Sequence, residues 1–330
     1  MGMTLNVRLL LLVALVSSLA GCWADYTECA ASDPATLAKL PSRLSETGLF
    51  AAVASDTLGL GVRAYRPSFE LWSDGAEKRR WIRLPEGEAI DTTDMDSWSF
   101  PVGTRVWKEF TRDGVRVETR MLERTGPADA DWIGVAYVWN DAGDDAIATP
   151  LGAADSRGTA HDVPASSQCM ACHGGRRSRV LGFSAIQLAH DAPVEEWNLS
   201  ALAKAGALSR VPHEAPVVPG DATTREALGW LHANCGHCHN SARPAVEGPR
   251  CFDPRNDLDF WMRVDRLRTP EESPAMTSAV GSAIEPGDPD GSDVYRLATH
   301  RGGGLQMPPI ASELVDPAAR VTLRAWIESL

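Results

Sequence analysis

Two short stretches of this chain combine residue types and spacing that can do chemistry: QCMACHGGRRSR, beginning at Gln168, and NCGHCHN, from Asn234 to Asn240. Each holds two cysteines separated by two residues and followed at once by a histidine: Cys169, Cys172 and His173, then Cys235, Cys238 and His239. Paired thiols at this spacing serve a redox dithiol, a structural zinc site or a haem anchor. A thioredoxin-type dithiol is a single pair on a strand-to-helix turn in a βαβ context, and no parallel βαβ pattern surrounds either motif. Zinc ribbons place their two pairs much closer together than Cys172 and Cys235. Haem attachment needs two thiols that reach the vinyl groups of one macrocycle, and a histidine on the same turn to ligate the iron. C-x-x-C-H meets that need, and here it occurs twice. The expectation is two covalently attached c-type haems, on Cys169/Cys172 and Cys235/Cys238, with His173 and His239 as proximal ligands.

The elements that must position the second motif are readable. TTREALGWLHANCGHCHN opens with Thr223 and Glu226 in capping-box spacing and sets Ala227, Trp230, Leu231 and Asn234 on one face, which predicts a helix running into Cys235. Near the chain's end Asp316-Pro317 reads as an N-cap and first helical residue. Ala319, Leu323, Trp326, Ile327 and Leu330 follow at helical spacing. Between these helices lies GGGLQMPP, with Met307 before a proline pair. A helix carrying CxxCH, a Met-Pro loop and a terminal helix resemble a single-haem cytochrome c domain over residues 222–330. That resemblance implies Met307 as the distal ligand opposite His239, and histidine–methionine ligation raises the iron's potential and leaves no open position.

The first motif is less complete. The stretch from Cys172 to Thr223 is too short for another such domain and contains no methionine. Candidate distal ligands are His190, His161, His213 and Met121, with His190 at a helix end the one carried forward; an open iron is the alternative. Arg176, Arg177 and Arg179 read either as a solvated turn or as partners for haem propionates or for another protein.

Haem attachment takes place outside the cytoplasm, and the amino terminus points there. MGMTLNVRLLLLVALVSSLAGC has a basic residue, a short apolar run and a small-residue stretch, the pattern of a signal peptide over residues 1–21. The apolar run is short of the ~20 residues needed to span a bilayer. Leu19-Ala20-Gly21-Cys22 resembles a bacterial lipobox, which implies lipidation of Cys22 and a membrane anchor for an exported protein. Of seven cysteines, Cys29 and Cys251 then remain, an even remainder that permits a disulfide in an oxidising compartment.

Composition is that of a globular protein: of 330 residues 44% are hydrophobic and 23% charged, and the net charge of −12 without a basic stripe excludes nucleic acid as a partner. From Arg63 to Leu151 the pattern changes to strands. GTRVWKEFTRDGVRVETRMLER predicts a hairpin turning at Arg112-Asp113-Gly114, and RRWIRLP and DWIGVAYVWND add further β-rich runs, with tryptophans expected in the core. The expected fold is α+β: an antiparallel β domain over 61–155, read as a sandwich, then a mainly α-helical dihaem region made of a first haem-binding segment, 156–221, and the cytochrome c domain. Residues 22–60 form the anchored N-terminal segment.

Along its length the chain resembles a family of exported dihaem c-type cytochromes. The resemblance is carried by LSETGLF, LWSDGAEKRRWIRLP, FPVGTRVWKEF, VETRMLER, VPASSQCMACH, LGFSAIQL, ANCGHCHN, IEPGDPDGSDVYR and MPP in that order. It implies electron transfer between a redox partner, such as a periplasmic dehydrogenase, and the respiratory chain. The competing expectation is an enzyme, a dihaem peroxidase with an open first haem. Such peroxidases resemble two successive cytochrome-like domains, a pattern that a β domain and two closely spaced motifs fit poorly.

Overall fold

Alternation of apolar and charged residues from Trp81 to Trp139 builds the centre of the fold. In the computed structural model, which describes residues 37–243, 257–302, 306–309 and 312–330, nine strands are seen: β1 Phe50–Ala52, β2 Thr57–Leu58, β3 Arg63–Tyr65, β4 Glu77–Arg83, β5 Arg105–Arg112, β6 Val115–Arg124, β7 Trp132–Trp139, β8 Ala146–Ala148 and β9 Glu196–Trp197. β1 and β2 form a small antiparallel ribbon, and the others form one sheet in the order β8-β7-β6-β5-β4-β3-β9. All its neighbours are antiparallel except β3 and β9. The predicted hairpin is present: β5 and β6 are joined through Asp113 and Gly114, both at positive φ (51° and 75°), the conformation a two-residue turn needs to follow the strands' twist.

The expected sandwich is not formed. Both faces of the large sheet are covered, but by coil, short helices and, on one face, the β1–β2 ribbon in place of a second full sheet. On one face Trp81, Trp107, Met121, Val135, Tyr137 and Trp139 pack under Leu44, Leu49, Phe50 and Val62. On the other Ile82, Val106 and Leu122 pack against Ile90, Trp98 and Phe100 and against Val180 to Leu208 of the first motif's segment. Each fully buried large apolar side chain contributes about 1.5–3 kcal/mol, so both layers are needed to hold the sheet. β9, the parallel edge strand, comes from that same segment, which ties it directly into the sheet.

The remaining chain is not mainly helical, contrary to expectation. The helices are α1 Cys169–His173, α2 Ala185–Leu188, α3 Leu199–Lys204, α4 Ala222–Asn234, α5 Pro274–Ala279, α6 Asp293–Ala298 and α7 Pro317–Glu328. Among the described residues only α4 (13 residues) and α7 (12 residues) exceed two turns. Frequent proline and glycine interrupt the rest: α5 begins on Pro274, and Gly281, Gly287 and Gly302 sit at positive φ. α4 begins one residue before the expected cap, at Ala222. Its N-cap is Asp221, whose carboxylate accepts from the Thr224 amide at 2.8 Å. α7 starts where the sequence places it: Asp316 Oδ1 accepts from Ala318 and Ala319 ahead of a Pro317 first turn. α4 and α7 pack together through Ala227, Leu228, Leu231, Leu323, Trp326 and Ile327. No helix among the described residues is long and apolar enough to cross a membrane.

Candidate cofactor site

Cys169, Cys172 and His173 occupy the whole of α1, which the Ser166–Gln168 turn leads onto the sheet. The two thiols are free and half-buried, and with His173 they open into a cavity of 520 Å³, inside the range typical of small-molecule and cofactor sites. Lys108, Arg120 and Leu122 of the sheet, the 151–165 loop, His237 and Pro308 supply other walls.

Three features shape this cavity. The first is the placement of His173: its Nδ1 lies 2.6 Å from the Arg179 carbonyl oxygen. A proton on Nδ1 donated to that carbonyl leaves the Nε2 lone pair available, the arrangement by which metal-ligating histidines are oriented. Burial, and then the nearby Lys108, push the imidazole's pKa down to about 3, so the ring is neutral. The second is Gly134 on β7. A Cβ there would come 2.9 Å from Cys169 Sγ and 3.0 Å from Leu122 Cδ1, so the missing side chain is the space that Cys169 fills.

The third is electrostatic. Strand register sets Arg80 of β4 opposite Lys108 of β5, and Lys108 opposite Arg120 of β6, so three cations stand in one row across the sheet. Lys78, two residues from Arg80, shares its face. Like charges directly opposite one another are destabilising. On the other face the equivalent problem is solved internally: Glu109 lies between Arg79 (2.7 Å) and Arg116 (2.7 Å), and Asp56 bonds both arginines. On the cavity face the counter-charges are fewer. Glu70 pairs with Arg80 at 3.1 Å and with Lys78 at 3.8 Å, and Glu118 pairs with Arg120 at 2.5 Å. Lys108 makes no ion pair among the described residues; its Nζ sits 5.8 Å from the Phe110 ring. Burial, then Arg80, Arg120 and Lys78, drive its pKa well below the ordinary lysine value. Of these four, Lys108 and Arg120 line the cavity, and Lys108 is the one with no carboxylate partner among the described residues.

The second motif follows α4 and abuts the first. Cys238 Sγ is 3.8 Å from the Ala171 carbonyl oxygen, and Asn240 binds both the Gly175 carbonyl and, at 3.3 Å, Arg176. Cys235 and Cys238 are free and half-buried; burial raises both thiols, Cys235 to about 12. The His239 ring stands edge-on to Phe260 at 5.8 Å, and its carbonyl accepts from the Phe260 amide. Met307 lies half-buried in the loop between α6 and α7, its amide bonded to the Leu297 carbonyl at 2.9 Å, and the next residue, Pro308, reaches the first motif's cavity. No group of three or more Cys, His, Asp or Glu side chains among the described residues is gathered as for a metal ion, so the two CxxC pairs do not converge on a shared four-thiol site.

Of the other candidates, Met121 and His161 line the cavity, but His161 Nε2 is held by Glu118 at 2.7 Å. His190 lies elsewhere, its ring nitrogens at 2.9 Å and 2.7 Å from the carbonyls of Asp191 and Arg66, and His213 is exposed beside Glu214. The three arginines after the first motif do not line the cavity. Arg177 pairs with Asp129, Arg179 braces the His173 and Asp129 carbonyls, and Arg176 stacks on Trp261 at 4.0 Å. Sequence reasoning missed Lys108, Arg120, Gly134 and His237, which converge only once strand register and the packing of the two motifs are known. Cys22, Cys29 and Cys251 lie outside the described residues.

No protein-family model matches the chain, and no curated protein or solved structure is found similar to it.

Proposed function

We propose that this chain is a dihaem c-type cytochrome of the bacterial cell envelope. It carries haem on Cys169/Cys172 and Cys235/Cys238, and passes electrons from a redox partner such as a periplasmic dehydrogenase towards the respiratory chain. The observation that carries the reading is the cavity into which the first CxxCH opens both thiols and its histidine, walled on the sheet side by Lys108 and Arg120. The residues present fit a haem: two unpaired thiols for its vinyl groups, a neutral imidazole with its tautomer set by the Arg179 carbonyl, and Lys108 and Arg120 on the wall to face its propionates.

Bound haem would supply a one-electron couple at each iron. The chain's own residues do the rest. His173 and His239 offer a nitrogen each, while Lys108 and Arg120 hold negative charge against the sheet. Leu122 keeps part of the cavity wall apolar, and the Cys238–Ala171 contact brings the two attachment segments side by side. Export by the signal peptide, anchoring through Cys22 and Met307 as distal ligand to the second haem belong to the same proposal. Steady-state reduction by a dehydrogenase, followed by mixing with peroxide, tests it. A carrier is reduced and reoxidised by protein partners and turns over peroxide no faster than free haem. Rapid peroxide turnover with a reduced partner would make the first haem an active site and the protein a peroxidase.

A further inference from the structure

His237 is the second of the two residues between Cys235 and Cys238, a position where the attachment motif asks for nothing in particular. Its placement is unusual. The residue is 4% exposed, and Nδ1 is buried without a hydrogen-bond partner. A buried imidazole left this way costs stability unless a ligand uses it. The residue lines the first motif's cavity, where Cys169, Cys172 and His173 also lie.

Resting on the dihaem reading above, we infer that His237, carried by the second attachment motif, is the distal ligand of the first haem. Of the other groups on that cavity, His161 is held by Glu118 and Met121 packs with Trp107 and Val135 in the layer on the opposite face, while Lys108 is assigned above to the haem's negative charge. His237 has no such engagement. The assignment makes the first iron six-coordinate with two imidazoles and closes it to exogenous ligands. It also gives the contact between the two motifs a purpose: the ligand of one haem lies one residue from a thioether of the other, a short covalent path for an electron between them.

The test uses the full-length protein matured with both haems, whose number is fixed first by intact mass, so that failure of the dihaem reading is seen separately. Ferric electron paramagnetic resonance of the unmodified protein should show two low-spin centres, and the reduced protein should bind no carbon monoxide at the first haem. His237→Ala should keep two haems, convert one centre to high spin and bind one carbon monoxide per chain. His237→Met should restore low spin at that centre and add a near-infrared thioether-to-iron band. If His237→Ala leaves both centres low-spin while Lys108→Ala or Met121→Leu converts one, the assignment is wrong. Should His237→Ala not accumulate, the unmodified protein still decides: a high-spin centre or carbon monoxide binding at the first haem overturns the proposal.

Discussion

Gly134→Ala is a small change whose consequence can be worked from distances. The added Cβ would sit 2.9 Å from Cys169 Sγ, 3.1 Å from Cys169 Cβ and 3.0 Å from Leu122 Cδ1. Ordinary carbon contacts begin near 3.5 Å, so α1 and Leu122 must yield by about 0.5 Å or more. Overpacking of this kind costs about 1–3 kcal/mol. Alanine in a strand recovers about 0.5–1 kcal/mol relative to glycine. The net loss of roughly 0–2.5 kcal/mol corresponds to a fall in Tm of up to about 10 °C for a chain of this size. The specific effect is on attachment: Cys169 is displaced while Cys172, one turn on, is not, so a fraction of the first haem should be held by Cys172 alone. Pyridine haemochrome spectra separate one-thioether from two-thioether haem, and peptide mass mapping locates the unreacted thiol. Full attachment through both cysteines with unchanged Tm would refute the claim that Gly134 makes room for Cys169.

Glu118→Gln removes the carboxylate that Arg120 and His161 share at 2.5 Å and 2.7 Å, and should cost about 1–3 kcal/mol in urea unfolding because it leaves the half-buried Arg120 without its counter-charge. Burial alone would raise the Glu118 carboxyl, but Arg120 and His161 outweigh it and hold its pKa below the usual value. The stabilisation is therefore full above the unfolded pKa of ~4.3 and fades as pH falls through the lower folded value, a loss the Gln variant should not show. Met307→Ala should abolish the near-infrared thioether band of the second haem and lower its potential without releasing it; an unchanged band and potential would make Met307 a packing residue. Cys22→Ser should move the protein from the membrane to the soluble fraction, and an unmodified protein already soluble with a free amino terminus would contradict the anchor.

What could be read from the sequence was local. The Arg112-Asp113-Gly114 turn, the Asp316-Pro317 helix start and the burial of Trp81, Trp107 and Trp139 each depend on residues within a few positions of one another, and each is found in the structure. The cap of α4 went to Asp221 instead of Thr223 because both have side-chain oxygens suited to the role and the geometry chose the earlier. The sandwich was not legible as a single sheet. Strands with both faces apolar look the same whether a second full sheet or other chain covers them, and here coil, short helices and a two-stranded ribbon do. The cavity face was harder still. Arg80, Lys108 and Arg120 are ordinary strand residues until register lines them up, and His237 is an unremarked residue inside its motif until α4 delivers it to the other motif's cavity.

The central claim is most directly tested by mass spectrometry of the protein matured in a host that attaches c-type haem. The account predicts an intact mass above the apoprotein by two haem groups, with tryptic peptides showing one haem on Cys169/Cys172 and the other on Cys235/Cys238. A mass increase of one haem or none, with the remaining pair recovered as free thiols or bound to zinc, would contradict it.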